Sequence, residues 1–201
     1  MSSADNYPEG MVTRAESAAS TRRALLDAAG ALLDKGGPDA VTLREVGANA
    51  GVSRSAPYRH FADKESLLTE IATEAWSAVG DELEALTSDV DSAPERTLRR
   101  ALLLLVTIGR SRPHLHRLMF ATPTADPAAG VRAAERAQGF FLDLVSRVVG
   151  AGPARQCAAL LLTSVHGSTG LEMSGHLSPA KWATTPEELL DLQIGLLPRP
   201  S

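Results

Sequence analysis

Cysteine occurs once in these 201 residues, at Cys157, so no internal disulfide can staple the fold and the chain suits a reducing compartment. Aromatic side chains make up only 4%, and strand-type alternation of apolar and polar residues is almost absent, which leaves an all-helical chain as the expectation. The longest apolar run, Ala101 to Ile108, falls far short of the roughly 20 residues a membrane-spanning helix needs. The first residues carry Asp5, Glu9, Arg14 and Glu16 around no apolar centre, so no secretory signal is expected and a cytoplasmic location is. A surplus of positive charge is missing too. The net charge of -4 argues against a protein that simply coats nucleic acid.

What is present is 44% apolar and 22% charged residues, an ordinary globular balance, unevenly distributed. From Arg22 to Lys64, seven bases (Arg22, Arg23, Lys35, Arg44, Arg54, Arg59, Lys64) stand against five acids (Asp27, Asp34, Asp39, Glu45, Asp63). The remainder is clearly acidic. A locally basic N-terminal unit on an acidic body fits a sequence-reading DNA-binding module with a separate regulatory domain.

Residues 1–19 are polar, Ala/Ser-rich and aperiodic, and read as a mobile arm. Thr21 caps a first helix with Leu25, Ala28, Ala29, Leu32 and Leu33 at helical spacing, and Gly36-Gly37-Pro38 stops it. Thr42 and Glu45 form the capping box of a second helix, striped by Leu43, Val46 and Ala50. Gly51 supplies a turn, Val52 plugs the core and Ser53 caps a stiff third helix of two turns. Pro57 falls in or just past its first turn, where most backbone donors lack helical partners and a proline costs little.

Asp63 caps a long fourth helix carrying Leu67, Leu68, Ile71, Ala75, Val79 and Leu83 on one side. A fifth follows Pro94 and is apolar enough between Ala101 and Ile108 to be buried nearly all round. Pro113 opens a sixth, Asp126-Pro127 a seventh to about Val149, and Gly152-Pro153 an eighth to about Leu177. A capping box, Thr185-Pro186-Glu187-Glu188, opens a last helix to Leu197.

Helix, glycine turn, short helix is the arrangement that lays a reading helix in the DNA major groove. The run "TLREVGANAGVSRSAPYRHFADKESLL" closely resembles the DNA-binding unit of the TetR family of bacterial transcriptional regulators, over Thr21 to about Ala75. The resemblance implies an all-α fold: a three-helix helix-turn-helix domain, residues 20–66, joined by helix four to a larger helical effector-binding and dimerisation domain, residues 67–201. It also implies that Thr42, Arg44, Ser53, Arg54, Ser55, Tyr58, Arg59, His60 and Lys64 stand at positions facing DNA. Ala56 departs from the family pattern, where a threonine often donates to phosphate, and Pro57 replaces a more usual branched apolar residue. The chemistry of those side chains agrees. Arg54 can fork onto guanine O6 and N7, and Arg44 and Arg59 can do the same or grip phosphate. Thr42, Ser53, Tyr58, His60 and Lys64 suit the backbone, while Phe61 reads as core.

Elsewhere no catalytic set, metal site or cofactor motif emerges. His114 and His116 alternate, point apart on a helix and read as exposed or capping. Glu172 and His176, one turn apart, lack a third ligand, so an internal hydrogen bond is expected. Ser178 and Lys181 in "SPAK" imitate a nucleophile motif, yet Ser178 before Pro179 is first a helix cap. "GSTG" lacks the strand and the lysine of a nucleotide loop. The stretch "LTSVHGSTGLEM", Leu162 to Met173, puts small, poor helix formers in mid-helix, which suits close packing at a dimer seam or room for a ligand. It also resembles a regulator C-terminal domain marked by a tryptophan-histidine-glycine run, with Val165 in place of the tryptophan and His166 and Gly167 kept.

The function expected is a DNA-binding transcriptional regulator, foremost a repressor. It would act as a homodimer on a palindromic operator in double-stranded DNA and be released by a small, largely apolar effector. Its seam would join the helix from about Pro153 to Leu177 with Leu189, Leu190 and Leu197. Trp76, Met119, Phe120, Phe140, Phe141, His166 and Met173 are the candidate effector contacts, with Trp182 in the same core. His166 is the polar candidate, as a histidine deep in an apolar helix needs a partner. The alternative is a small-molecule-binding helical protein whose DNA-binding unit is degenerate.

Overall fold

A computed structural model describes residues 14–89, 91–122, 125 and 128–199, and every regular element among them is helical. Helix α1 spans Arg14–Gly36, starting well before the expected cap at Thr21. Thr21 instead turns its hydroxyl back to the Ser17 carbonyl, at 2.8 Å, as threonines inside helices do. The residues from Arg14 to Ala19 are therefore helix rather than arm. Alanine and glutamate sustain a helix without an apolar stripe to mark it. Residues 1–13 lie outside the described part.

Leu25, Leu26, Ala29 and Leu33 are the buried face of α1, and Gly37, at φ 72°, ends it before a 3-10 turn at Pro38–Ala40. Helix α2, Leu43–Asn49, is capped by the Thr42 hydroxyl, which accepts from the Glu45 amide at 3.2 Å. Helix α3 is only Ala56–His60, shorter than the two turns expected. Ser55, not Ser53, holds its cap position and makes no capping bond; the two serine hydroxyls face each other at 3.4 Å. Helix α4, Lys64–Ser88, follows Asp63, whose carboxylate accepts from the Ser66 amide at 2.7 Å. That hydrogen bond, with the one from the Ser66 side chain, holds the Asp63 carboxyl below its ordinary pKa.

The chain divides into two compact units, one ending at Leu67 and the other beginning at Leu68, so the boundary falls within α4. The second unit continues with α5 (Pro94–Ser111), α6 (Pro113–Met119), α7 (Ala128–Val149), α8 (Ala154–Met173), α9 (Pro179–Trp182) and α10 (Pro186–Gly195). Its centre is α5, which packs against α6, α7, α8 and α10. Leu98, Leu102, Val106, Val145, Leu161, Val165 and Leu190 meet there in one core. Burial of α5 is one-sided, not all round. Leu103, Leu104 and Ile108 are half-buried and Thr107 is exposed, because that side of α5 faces a cavity of about 590 Å³ across from Ala78 and Val79.

Asp126 and Pro127, expected to open α7, lie outside the described residues. Helix α8 stops at Met173 rather than near Leu177. Gly175, at φ 72°, lets the chain reverse, and the His176 and Leu177 amides both return to the Leu171 carbonyl at 2.8 and 2.9 Å. The Thr185–Glu188 capping box closes in both directions, at 3.2 and 2.9 Å. Glu172 does not bond His176. It takes Arg110 in a fork at 2.8 and 2.7 Å, while His176 Nδ1 lies 3.1 Å from the Ser174 hydroxyl. Arg110 also grips Glu187, tying α5 to α8 and α10, and the two carboxylates push its pKa up. No single helix among the described residues is long and apolar enough to cross a membrane.

Candidate nucleic-acid interface and ligand cavity

The first unit is organised around Pro57. Its ring lies against Gly47 of α2, so closely that a Cβ there would sit 2.8 Å from Pro57 Cγ. Gly47 is thus the half of the contact that sequence reading missed; its one signal was a glycine in the middle of a short helix. Ala56 and Phe61, at 2% and 5% exposure, complete the buried side of α3. What remains faces outward. Thr42, Arg44, Ser53, Arg54, Ser55, Tyr58 and Arg59 are exposed, and His60 and Lys64 are half-buried.

Arg44 from α2, Arg54 from the turn entering α3 and Tyr58 from α3 line one hollow of about 550 Å³, together with Glu45, Ala48 and Val52. Arg44, Arg54, Arg59 and Lys64 form no ion pair among the described residues. In the second unit, by contrast, Arg99, Arg110, Arg136, Arg147 and Arg199 are each matched to carboxylates of their own chain. The acidic body thus neutralises these five of its arginines. The small unit keeps Arg44, Arg54, Arg59 and Lys64 available, with Thr42 already engaged as a cap.

The Gly47–Pro57 contact yields a specific expectation. Gly47→Ala destabilises the first unit by about 1–3 kcal/mol, the usual cost of forcing an extra methyl into a packed contact. Adding Pro57→Ala, which removes the obstructing ring, recovers much of that loss. Denaturant unfolding of both single variants and the double variant checks the coupling. Strictly additive losses would show that the ring and the glycine do not meet.

The second unit holds a cavity of about 400 Å³ lined by Trp76, Phe120 and Phe141 among aliphatic side chains. The Trp76 indole N–H donates to the Met119 carbonyl at 2.9 Å, and Phe120 meets Trp76 edge-on at 5.4 Å. The other effector candidates lie elsewhere. The Met119 side chain is buried core, and Phe140 lies beneath the Arg136 guanidinium at 5.4 Å. Met173 borders a separate polar hollow with Arg110 and Glu172. Trp182 is 60% exposed rather than core, with its N–H on the His176 carbonyl at 2.9 Å.

The two histidine expectations exchange places. His166 is exposed, because Val165 takes the inward position on α8 at 0% exposure. Its ring lies 4.3 Å from Phe120 and 5.3 Å from His116. His114 and His116 do part ways on α6, but His116 turns inward and is only 1% exposed, with His114 half-buried. His116 Nε2 has no hydrogen-bond partner among the described residues. Burial, then the nearby His166 and Arg117, push its pKa down to about 4. Ser178 caps the short α9 by position, and the Lys181 ammonium lies 5.8 Å over the Trp182 ring. Among the described residues no three His, Cys, Asp or Glu side chains converge to hold a metal.

Two family models match the sequence. Residues 25–71 match the one described as bacterial regulatory proteins, tetR family, and residues 98–197 the one described as tetracyclin repressor-like, C-terminal domain. No similar curated protein was found. Among solved structures, a protein of unknown function from Rhodococcus sp. RHA1 is 24% identical with a TM-score of 0.72, covering 87% of this chain and 92% of that one. A TetR-family transcriptional regulator from Streptomyces coelicolor is 23% identical with a TM-score of 0.63, covering 89% and 97%. RolR, solved in complex with resorcinol, is 20% identical with a TM-score of 0.60, covering 93% and 92%. At such identities these likenesses establish a common fold.

Proposed function

The chain belongs to the TetR family of bacterial transcriptional regulators, and on that footing we propose that it is a repressor released from its operator by a small molecule. One observation carries the DNA-reading half: Arg44, Arg54, Arg59 and Lys64 around α3 are exposed or half-buried and free of internal ion pairs, whereas Arg99, Arg110 and Arg136 of the body are matched to carboxylates of their own chain. Arg54 reads a base edge through its guanidinium fork, and Arg44 and Arg59 read or grip beside it. Thr42, Ser53, Ser55, Tyr58, His60 and Lys64 position the sugar-phosphate backbone. The protein works in the cytoplasm, where the DNA is.

Arg54→Ala accordingly relaxes sequence preference, with about 1–3 kcal/mol of discrimination lost at one base pair. Lys64→Ala weakens binding evenly across sequences. Affinities on a panel of operator variants at fixed salt separate the two. If Lys64→Ala shifts the preferred sequence and Arg54→Ala does not, the roles are reversed.

A helix as short as α3 reaches few bases, so the operator is palindromic and the regulator a homodimer. Support for a seam on α8 and α10 lies in what those helices leave uncovered. Leu160, Leu171, Leu192 and Leu196 are 57%, 51%, 59% and 75% exposed. Leu190 and Leu197, expected in the seam, are instead buried in the chain's own core. A Cβ on Gly167 or Gly170 would meet nothing within 4 Å, and neither glycine has a positive φ. Each therefore weakens its helix by about 1 kcal/mol relative to alanine with no return inside its own chain. Close approach of a second α8 supplies the reason.

The effector occupies the cavity at Trp76, Phe120 and Phe141. It releases DNA only through tighter binding to the state that fits the operator poorly, and operator binding weakens effector binding by the same factor.

A further inference from the structure

The cavity at Trp76 has a charge character that narrows its ligand. Its walls are aromatic and aliphatic, and its polar lining is limited to Glu135 and Gln138, both from α7 and both exposed at the rim. Among the described residues no arginine, lysine or histidine lines it. Glu135 makes no ion pair or hydrogen bond among the described residues. Its sequence neighbour Arg136 does not offset it, being held by Asp81 at 2.6 Å and by Glu84. Arg132, one turn away, is exposed and stands outside the lining.

A ligand that fills this space leaves water for an apolar wall with three aromatic rings and a single negative charge at its mouth. An anionic ligand would lose hydration and gain repulsion. A flat ring system gains from packing against Trp76, Phe120 and Phe141. A positive charge on it gains further from the ring faces and from the carboxylate. The neighbouring cavity beside α5 is lined by Arg100, which pairs with Asp89 at 3.7 Å, by Arg112 and by Glu82, with no aromatic ring among its described lining residues.

We propose that the effector is a planar aromatic molecule carrying one positive charge, its rings against Trp76, Phe120 and Phe141 and its cationic end toward Glu135. This rests on the reading of that cavity as the effector site. Three probes of similar shape test it: 9-aminoacridinium, the neutral 9-anthracenemethanol and the anionic 9-anthracenecarboxylate. Binding is measured by calorimetry on the full chain without DNA. Quenching of Trp76 in a Trp182→Phe background locates each probe.

The cation binds about tenfold more tightly than the alcohol, from ring-face and carboxylate attraction together, and the carboxylate binds weakest. Glu135→Gln removes about half of that advantage on a logarithmic scale and leaves the alcohol unchanged. Phe141→Ala weakens the cation and the alcohol alike. The proposal is overturned if the carboxylate quenches Trp76 with equal or greater affinity. Equal loss for all three probes on Glu135→Gln, or no quenching by any of them, overturns it as well. Operator affinity with and without 9-aminoacridinium is a separate readout. An unchanged operator affinity would remove the release mechanism while leaving the charge order of the cavity standing.

Discussion

Replacing Leu160 and Leu171 together by glutamate leaves each chain folded and weakens operator binding by about 100-fold or more, the range lost when a linked second site is removed. Both side chains are more than half exposed on α8, so their loss opens no cavity in the chain's own core. What it removes is the apolar ground of the seam, and it places like charges where two copies would meet. Each reading head then binds its half-site alone, without the high local concentration its partner provides. Light scattering shows a monomer, circular dichroism an unchanged helix content, and gel shift the lost affinity. A variant that remains a dimer would place the seam elsewhere. Gly167→Ala with Gly170→Ala gives the complementary result: better helix formers that weaken association, because the added methyls hold the two helices apart.

The second large effect is a loss of stability in mild acid. In the unfolded chain His116 titrates near 6.5, and in the folded chain burial holds it at about 4. As pH falls, the unfolded chain therefore takes up the proton first. The stabilisation is complete above pH 6.5 and is lost progressively as pH drops toward 4. A gap of this size corresponds to about 3 kcal/mol. The groups that act on its charge are the nearby His166 and Arg117, and no carboxylate among the described residues offsets it when it does protonate. His116→Phe keeps a ring against Phe120 and removes both the titration and the unpaired Nε2. Its unfolding free energy is flatter than that of the parent between pH 6.5 and 4, and exceeds it at the acid end. Asp63, Asp89, Asp191 and Glu187 also resist protonation in the fold, but they are common to both proteins and cancel in the comparison. Parallel pH profiles for parent and variant would show that His116 is not held neutral.

The first unit was legible because its information is local. Caps, glycine turns and apolar spacing place α2, α3 and the start of α4, and the charges sit on the side that the spacing leaves outward. What failed there was the cap of α3, set two residues too early at Ser53, and the start of α1 at Thr21, since a helix continued by Ala15, Ala18 and Ala19 carries no stripe to announce its beginning. The second unit was legible in element type but not in direction. His116 and His166 each follow an apolar residue in a helix of mixed character, and only the packing of α6 and α8 against α5 decides which ring goes inside. Leu103, Leu104 and Ile108 misled for the same reason. An apolar residue facing an empty cavity looks, in sequence, like one facing a neighbour. Glu135 and Gln138 gave no signal at all, because a polar residue on an amphipathic helix is unremarked until a cavity opens beside it.

The contact between Gly47 and Pro57 bears on how such a regulator could be re-targeted. Exchanging only the residues of α3 for those of another regulator would return a larger side chain to position 57, against a helix tailored to a flat ring. Exchanging only α2 for a helix without glycine at that position would bring a Cβ into the proline. The unit that can be transplanted whole is the stretch from Thr42 through Phe61, in which the surface proposed to choose the operator and the surface that seats α3 travel together.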